Sequence, residues 1–175
     1  MRATAARSAA LAKASDVTSV RLRRLEPADL ARVVELDARH RGTAVPDYWR
    51  RVRASYLVRD RERLRLALGA EKDGDLVGFL FGEERAFEFG SEPCGWIFAV
   101  AVDPDLQRGG IASVLVAEAC RRFRKAGLTT VRTMIRRQDV PVLSFFRAHG
   151  FAAGEFTQLE IKLPTLPSAE EVAQG

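Results

Sequence analysis

The chain has 175 residues, 47% of them hydrophobic and 29% charged, with a formal net charge of +5. That length and balance describe one globular domain with a sizeable core, and no apolar run approaches the ~18 residues of a membrane span. Two cysteines, Cys94 and Cys120, and two histidines, His40 and His149, show neither disulfide nor ligand spacing, so reduced thiols, a cytoplasmic setting and no metal site are expected.

A positive balance raises nucleic acid as a partner. Between Arg39 and Arg65 nine arginines face only Asp47, Asp60 and Glu62. Lysine, however, is confined to Lys13, Lys72, Lys125 and Lys162, so arginine is in excess everywhere. So uniform a bias reads as a solvated face, and nucleic acid is not the expected partner.

Residues 1–19 are rich in alanine, arginine and serine and read as a disordered extension. They lack the apolar run of a secretory signal, although the composition also resembles a transit peptide. The alternation of Val20 to Leu25 predicts an edge-type strand. Glu26-Pro27-Ala28-Asp29 opens a helix that Leu30, Val33, Val34 and Leu36 continue at helical spacing. After a loop at Arg41–Pro46, a second amphipathic helix runs from Tyr48 to about Arg59. Leu64–Glu71 and Leu76–Glu83 are paired strands around the turn Lys72-Asp73-Gly74-Asp75. A glycine-containing loop leads to the continuous apolar run Trp96–Val102, as expected for a strand covered on both faces. A third helix spans Gly110 to Lys125 and stops at Gly127. Leu128–Ile135 reads as a strand. Asp139 can cap a helix from Val140 to His149, Phe151–Leu163 reads as the last strand material, and residues 164–175 as a tail. The order β-α-α-β-β-β-α-β-α-β predicts an α/β fold: one three-layer domain over residues 20–163, with a central mixed, mostly antiparallel sheet flanked by helices.

The chemistry is concentrated where the apolar strand ends. Asp103-Pro104 stops it, and Gln107-Arg108-Gly109-Gly110-Ile111-Ala112-Ser113 turns into the third helix. A helix start carries unpaired N–H groups and the positive end of a dipole, so it can receive an anion. Glycines at 109 and 110 allow close approach, and Arg108 adds a fixed charge. Neither the Walker spacing nor the dinucleotide GxGxxG is present.

What this segment resembles is the Q/R-x-x-G-x-G/A signature of the GNAT acetyltransferase superfamily, read here as Gln107-Arg108-Gly109-Gly110-Ile111-Ala112. Val102-Asp103-Pro104 is similar to that family's strand end, and the element order over Val20–Leu163 is similar to its fold. The resemblance implies acetyl-CoA as acyl donor. Its pyrophosphate would rest on Gln107, Arg108, Gly109, Gly110, Ile111, Ala112 and Ser113, and its pantetheine arm would pair with the backbone of Val100, Ala101 and Val102. A backbone N–H such as that of Val100 would polarise the thioester carbonyl.

The family's second motif, N-x-x-A-x-x-[LF]-Y-x-x-x-G-F, is resembled from Asp139 to Phe151, with Phe146 in the cofactor-facing tyrosine position. Phe146 cannot protonate a departing thiolate. Trp96 and Phe98 stand where some relatives carry a strand carboxylate, so Glu92, and Asp139 in the family's asparagine position, are the candidate catalytic groups. Tyr48 and Trp49 could line the acceptor lid at Arg39–Trp49, with core packing favoured by their spacing. The acids Glu83, Glu84, Glu88 and Glu92 would attract a cationic amine, whereas the arginine-rich lid would favour an anionic acceptor. The expected activity is direct transfer of acetyl to a primary amine of a small molecule or protein. A homodimer is possible, and no membrane partner is expected. Two rivals remain open: a non-catalytic acyl-CoA-binding module and an arginine-rich nucleic-acid binder.

Overall fold

The computed structural model describes residues 19–57, 63–86 and 90–161. The expected extension up to residue 18, the helix end near Arg59, Glu88 and the tail lie outside the described residues. Two compact units are distinguished, one ending at Ile135 and the other beginning at Arg136.

The first unit holds strands β1 (Arg21–Arg24), β2 (Arg65–Lys72), β3 (Asp75–Arg85), β4 (Cys94–Val102) and β5 (Val131–Thr133). It also holds helices α1 (Leu30–Arg41), α2 (Pro46–Tyr56) and α3 (Ile111–Lys125). The strands form a mixed sheet in the order β1-β2-β3-β4-β5, antiparallel except for the parallel β4–β5 pair. Asp73 (φ 53°) and Gly74 (φ 91°) take the left-handed conformations that a two-residue hairpin needs, and so set the β2–β3 register.

Strand alternation divides the sheet into two faces. On one, Ala67, Phe79 and Phe81 pack with Val33 and Leu36 of α1 and with Trp49, Val52 and Tyr56 of α2. Trp49 is fully buried, set edge-on to Phe79 at 5.2 Å between ring centres, and its Nε1–H donates to Asp37 Oδ2 at 2.9 Å. It is therefore core, while Tyr48 is exposed. On the other face, Ile111, Leu115, Val116, Ala119 and Phe123 of α3 are buried. Glycines on β3 and β4 make room for them: a Cβ on Gly95 would meet the Phe123 ring at 2.5–2.8 Å, and one on Gly82 would meet it at 3.1 Å. Gly95→Ala is accordingly expected to destabilise the protein by about 1–3 kcal/mol, the ordinary range for overpacking, measured as a lowered denaturant midpoint at unchanged slope.

Two sequence expectations need correction. The strand expected over Leu128–Ile135 is confined to Val131–Thr133, because the Leu128 N–H turns back to Phe123 O at 3.1 Å and closes the end of α3. Phe151–Leu163 contains no strand over its described part. In the second unit α4 (Val140–Ala148) is followed by 151–161 without strand structure, with Phe156, Leu159 and Ile161 exposed. A strand needs an edge to bond to, and this unit supplies a helix but no sheet.

Candidate active site

α3 opens as an anion cradle. Gly110 is its N-cap in the left-handed conformation (φ 83°), with no side chain capping the helix. The first intrahelical bond runs from Val114 N–H to Gly110 O at 3.1 Å, so the N–H groups of Ile111, Ala112 and Ser113 precede the ladder. Arg108 also has positive φ, 70°, a conformation that costs a non-glycine residue about 1–2 kcal/mol. That strain swings the backbone out of the short 3₁₀ turn Pro104–Leu106 and into the helix entry. Gln107 and Arg108 are exposed beside it, and Gly109 is buried.

The cradle is fixed from behind. Asp103 is buried and accepts from Asp105 N–H at 3.1 Å, from Arg32 Nη2 at 2.6 Å and from Arg39 Nη1. Burial opposes its charge, but the Asp105 N–H and the two guanidinium groups outweigh that and hold its carboxyl below the usual range. Arg39 also reaches Asp105 at 2.9 Å, and Arg32 Nε donates to Leu76 O at 3.0 Å. One face of α1 is thereby tied to the end of β4 and to the start of β3. Sequence reading missed this clamp, although Arg32 and Arg39 are two turns apart on one helical face.

Among the described residues β4 keeps a partly open edge. Its ladder with β5 pairs only Gly95, Trp96 and Ile97, whereas β4 runs on to Val102. Asp103 N–H donates to Val77 O on β3 at 2.8 Å, so by alternation Val102 and Val100 present their backbone groups to the edge away from β3, and Ala101 presents its own to β3. Of the three residues expected to pair with an extended ligand, Val100 and Val102 thus face this edge and Ala101 does not. The Val102 carbonyl already accepts from His40 Nε2–H at 2.7 Å. The β3–β4 register also shifts between Phe81/Gly82, leaving Phe98 as the extra residue of a bulge on β4.

Beside the bulge lies a cluster that the sequence did not assemble. Tyr56 of α2 stacks on Phe98 at 5.1 Å and on Phe81 at 5.9 Å. Its hydroxyl donates to Glu83 Oε2 on β3, and Glu83 Oε1 accepts from Arg85 Nε at 2.9 Å. Arg85 lies over the Trp96 ring at 4.3 Å. Burial first, then the Glu83 bond, pushes the Tyr56 hydroxyl above its ordinary range. The expected base, Glu92, is exposed on the loop ahead of β4. Asp139 accepts from Val142 N–H at 3.2 Å as the N-cap of α4. Phe146 is buried in the second unit, edge-on to Phe145 and Phe151. Among the described residues no cluster of three metal-ligating side chains occurs, and no helix is long and apolar enough to cross a membrane.

Residues 30–151 match the family model described as acetyltransferase (GNAT) family. The chain belongs to the GNAT family. A mycothiol acetyltransferase of Saccharomonospora viridis is 31% identical over 91 residues, which is 50% of this chain and 30% of that protein. The chain thus spans only about a third of the length of the curated relatives that it matches. Among solved structures, an aminoglycoside N-acetyltransferase in complex with CoA superposes with a TM-score of 0.69 at 18% identity, covering 82% of this chain and 95% of that one. A ribosomal-protein-alanine N-acetyltransferase from Brucella melitensis gives 0.66 at 20%, covering 83% and 99%. These likenesses establish the GNAT fold, with its α/β sheet between helical layers.

Proposed function

We infer that this chain is an acetyl-CoA-dependent N-acetyltransferase, moving acetyl directly to a primary amine of a small molecule. One observation carries the reading: a glycine-opened helix with no side-chain cap follows, after one short turn, a strand that no other described strand pairs on its outer edge beyond Ile97, where only the Val102 carbonyl is taken, by His40. The N–H groups of Ile111, Ala112 and Ser113 fit a pyrophosphate at a helix start where Gly110 offers no Cβ, whereas the Gly109 N–H is already given to Leu106 O at 3.4 Å. Gln107 and the Arg108 guanidinium border that position. The edge groups of Val100 and the N–H of Val102 fit an amide-rich arm, which would lie as an added strand. Acetyl-CoA supplies the activated acyl group. The chain supplies alignment of the two reactants, which alone can be worth effective molarities of about 10⁵ M or more. The Val100 N–H, which faces that edge, would polarise the carbonyl.

The relatives named as mycothiol and aminoglycoside acetyltransferases favour a small-molecule acceptor, and the ribosomal-protein-alanine acetyltransferase keeps a protein N-terminus in view. Many arginines are already held by acids, among them Arg23 by Asp29 and Glu71, Arg41 by Asp37, and Arg121 and Arg122 by Glu118. That supports a solvated surface over a nucleic-acid footprint. A non-catalytic acyl-CoA-binding module is the second reading, favoured by Phe146 in the position of a proton donor.

Thermal unfolding with millimolar acetyl-CoA tests the cofactor assignment. At about 100 times its dissociation constant a ligand adds about 2.7 kcal/mol, some 5–10 °C for a chain of this size. Acetyl-CoA and CoA are expected to raise the midpoint and ATP is not. No shift with any of them overturns the reading. Turnover against a panel of amines then separates an enzyme from a binding module.

A further inference from the structure

Resting on the acetyl-transfer reading, we propose that Glu83 is the general base that takes the proton of the attacking amine, with Tyr56 as the residue that positions it. Glu83 pairs in register with Trp96, and alternation puts their side chains on the same face of the sheet. Tyr56 lies against Phe98, the bulge residue from which the open edge of β4 begins. Through Tyr56 a carboxylate is thus held on the face of the sheet next to Phe98, two residues before Val100, while β4 itself carries aromatic side chains there.

The geometry suits a base. An ionised carboxylate has about four lone-pair sites. Tyr56 and Arg85 occupy one on each oxygen, which leaves one on each for an incoming N–H. The two donors fix the carboxylate plane, and the packing of Tyr56 against Phe81 and Phe98 fixes the donor in turn. Among the described residues, the charged and titratable groups that face Glu83 are Arg85 on its own strand, Arg65 paired with it on β2, and Tyr48 and Tyr56 on α2. Arg65 also sits over the Tyr56 ring at 5.7 Å.

In the step itself the amine nitrogen forms a bond to the acetyl carbon and the carbon–sulfur bond breaks. The surplus proton on nitrogen passes to a Glu83 oxygen. The departing thiolate takes a proton from water, and Glu83 returns its own to water, so amine and acetyl-CoA become amide and CoA with protons balanced. Phe146 then has no proton to supply. A base on β3 also accounts for a β4 without a carboxylate.

The test uses the full chain, with spermidine, sisomicin, phenethylamine and an alanyl peptide as probe amines, and calorimetric binding of acetyl-CoA followed in parallel. E83Q keeps the shape of Glu83 and can still accept from Tyr56. With acetyl-CoA affinity unchanged, its kcat is expected to fall at least about 100-fold near neutral pH, within the range for loss of a general base, and the acid limb of the kcat–pH profile is expected to vanish. Y56F, which removes only the positioning hydroxyl, is expected to lose a few-fold in kcat and to keep that limb. Wild-type kcat in E83Q overturns the base assignment and leaves acetyl transfer standing. A wild-type protein that binds acetyl-CoA but acetylates none of the four amines overturns the base together with the catalytic reading. Absence of binding overturns the cofactor assignment beneath both.

Discussion

Gly110→Glu is expected to raise the dissociation constant for CoA by at least about 100-fold while the chain still unfolds cooperatively. Two effects act in the same direction. The residue sits at φ 83°, where a side chain costs about 1 kcal/mol that glycine does not incur, so the free turn relaxes and binding must restore the strained form. The larger effect is charge: a carboxylate at the helix entry occupies the anion site, and like charges about 4 Å apart repel by about 4 kcal/mol at an effective dielectric of 20. Each 1.4 kcal/mol is about tenfold in affinity, so the sum exceeds two orders of magnitude. Gly110→Ala separates the contributions, since it keeps the strain and adds no charge. A roughly 5–10-fold loss is expected there, measured by calorimetry. Normal CoA binding by Gly110→Glu, with an unchanged circular dichroism spectrum, places the pyrophosphate elsewhere.

That cradle was legible in the sequence because its parts are contiguous: an apolar strand, Asp103-Pro104, two glycines and an amphipathic helix occur in one stretch, and local rules govern each. The three-layer fold was legible for the same reason, each element announcing itself by period and punctuation. What stayed hidden depends on residues far apart in the chain. Arg32 and Arg39 meet Asp103 across 71 and 64 residues, and Tyr56 meets Glu83 across 27. Only the sheet order and the packing of α1 and α2 bring them together. Glu92 stood out in the sequence as the acid just ahead of the apolar strand, but nearness along a strand is not nearness to its far end, at about 3.3 Å per residue. The bulge at Phe98 was equally invisible, since it exists only in the register between two strands. The missed strand ends have a related cause. Val131–Thr133 stops where β4 leaves it, and the residues after Phe151 have the apolar character of a strand but form none over their described part.

Asp103→Asn is the second large expected effect, because it weakens stability and cofactor binding through one group. The amide can still accept from the Asp105 N–H but no longer balances Arg32 and Arg39. Removing one partner of a fully buried pair costs about 3–5 kcal/mol. Here both guanidinium groups keep about a third of their exposure, and each has a second acid, Glu35 for Arg32 and Asp105 for Arg39. The expected loss is therefore about 2–3 kcal/mol, or about 4–12 °C in the unfolding midpoint. The pH dependence follows from the sign of the shift. The folded carboxyl titrates below its unfolded value of about 3.9, so its contribution is complete above that value and is lost as pH falls through the lower folded one. Near neutral pH the wild type should exceed the variant by the full amount, and the gap should close on acidification below about pH 4. The same substitution loosens the turn that presents Arg108 to Ser113, so acetyl-CoA should bind about 10-fold more weakly at neutral pH, a change of about 1.4 kcal/mol. A stability gap that persists unchanged into acid would mean that the Asp103 charge contributes nothing and that the clamp holds by shape alone.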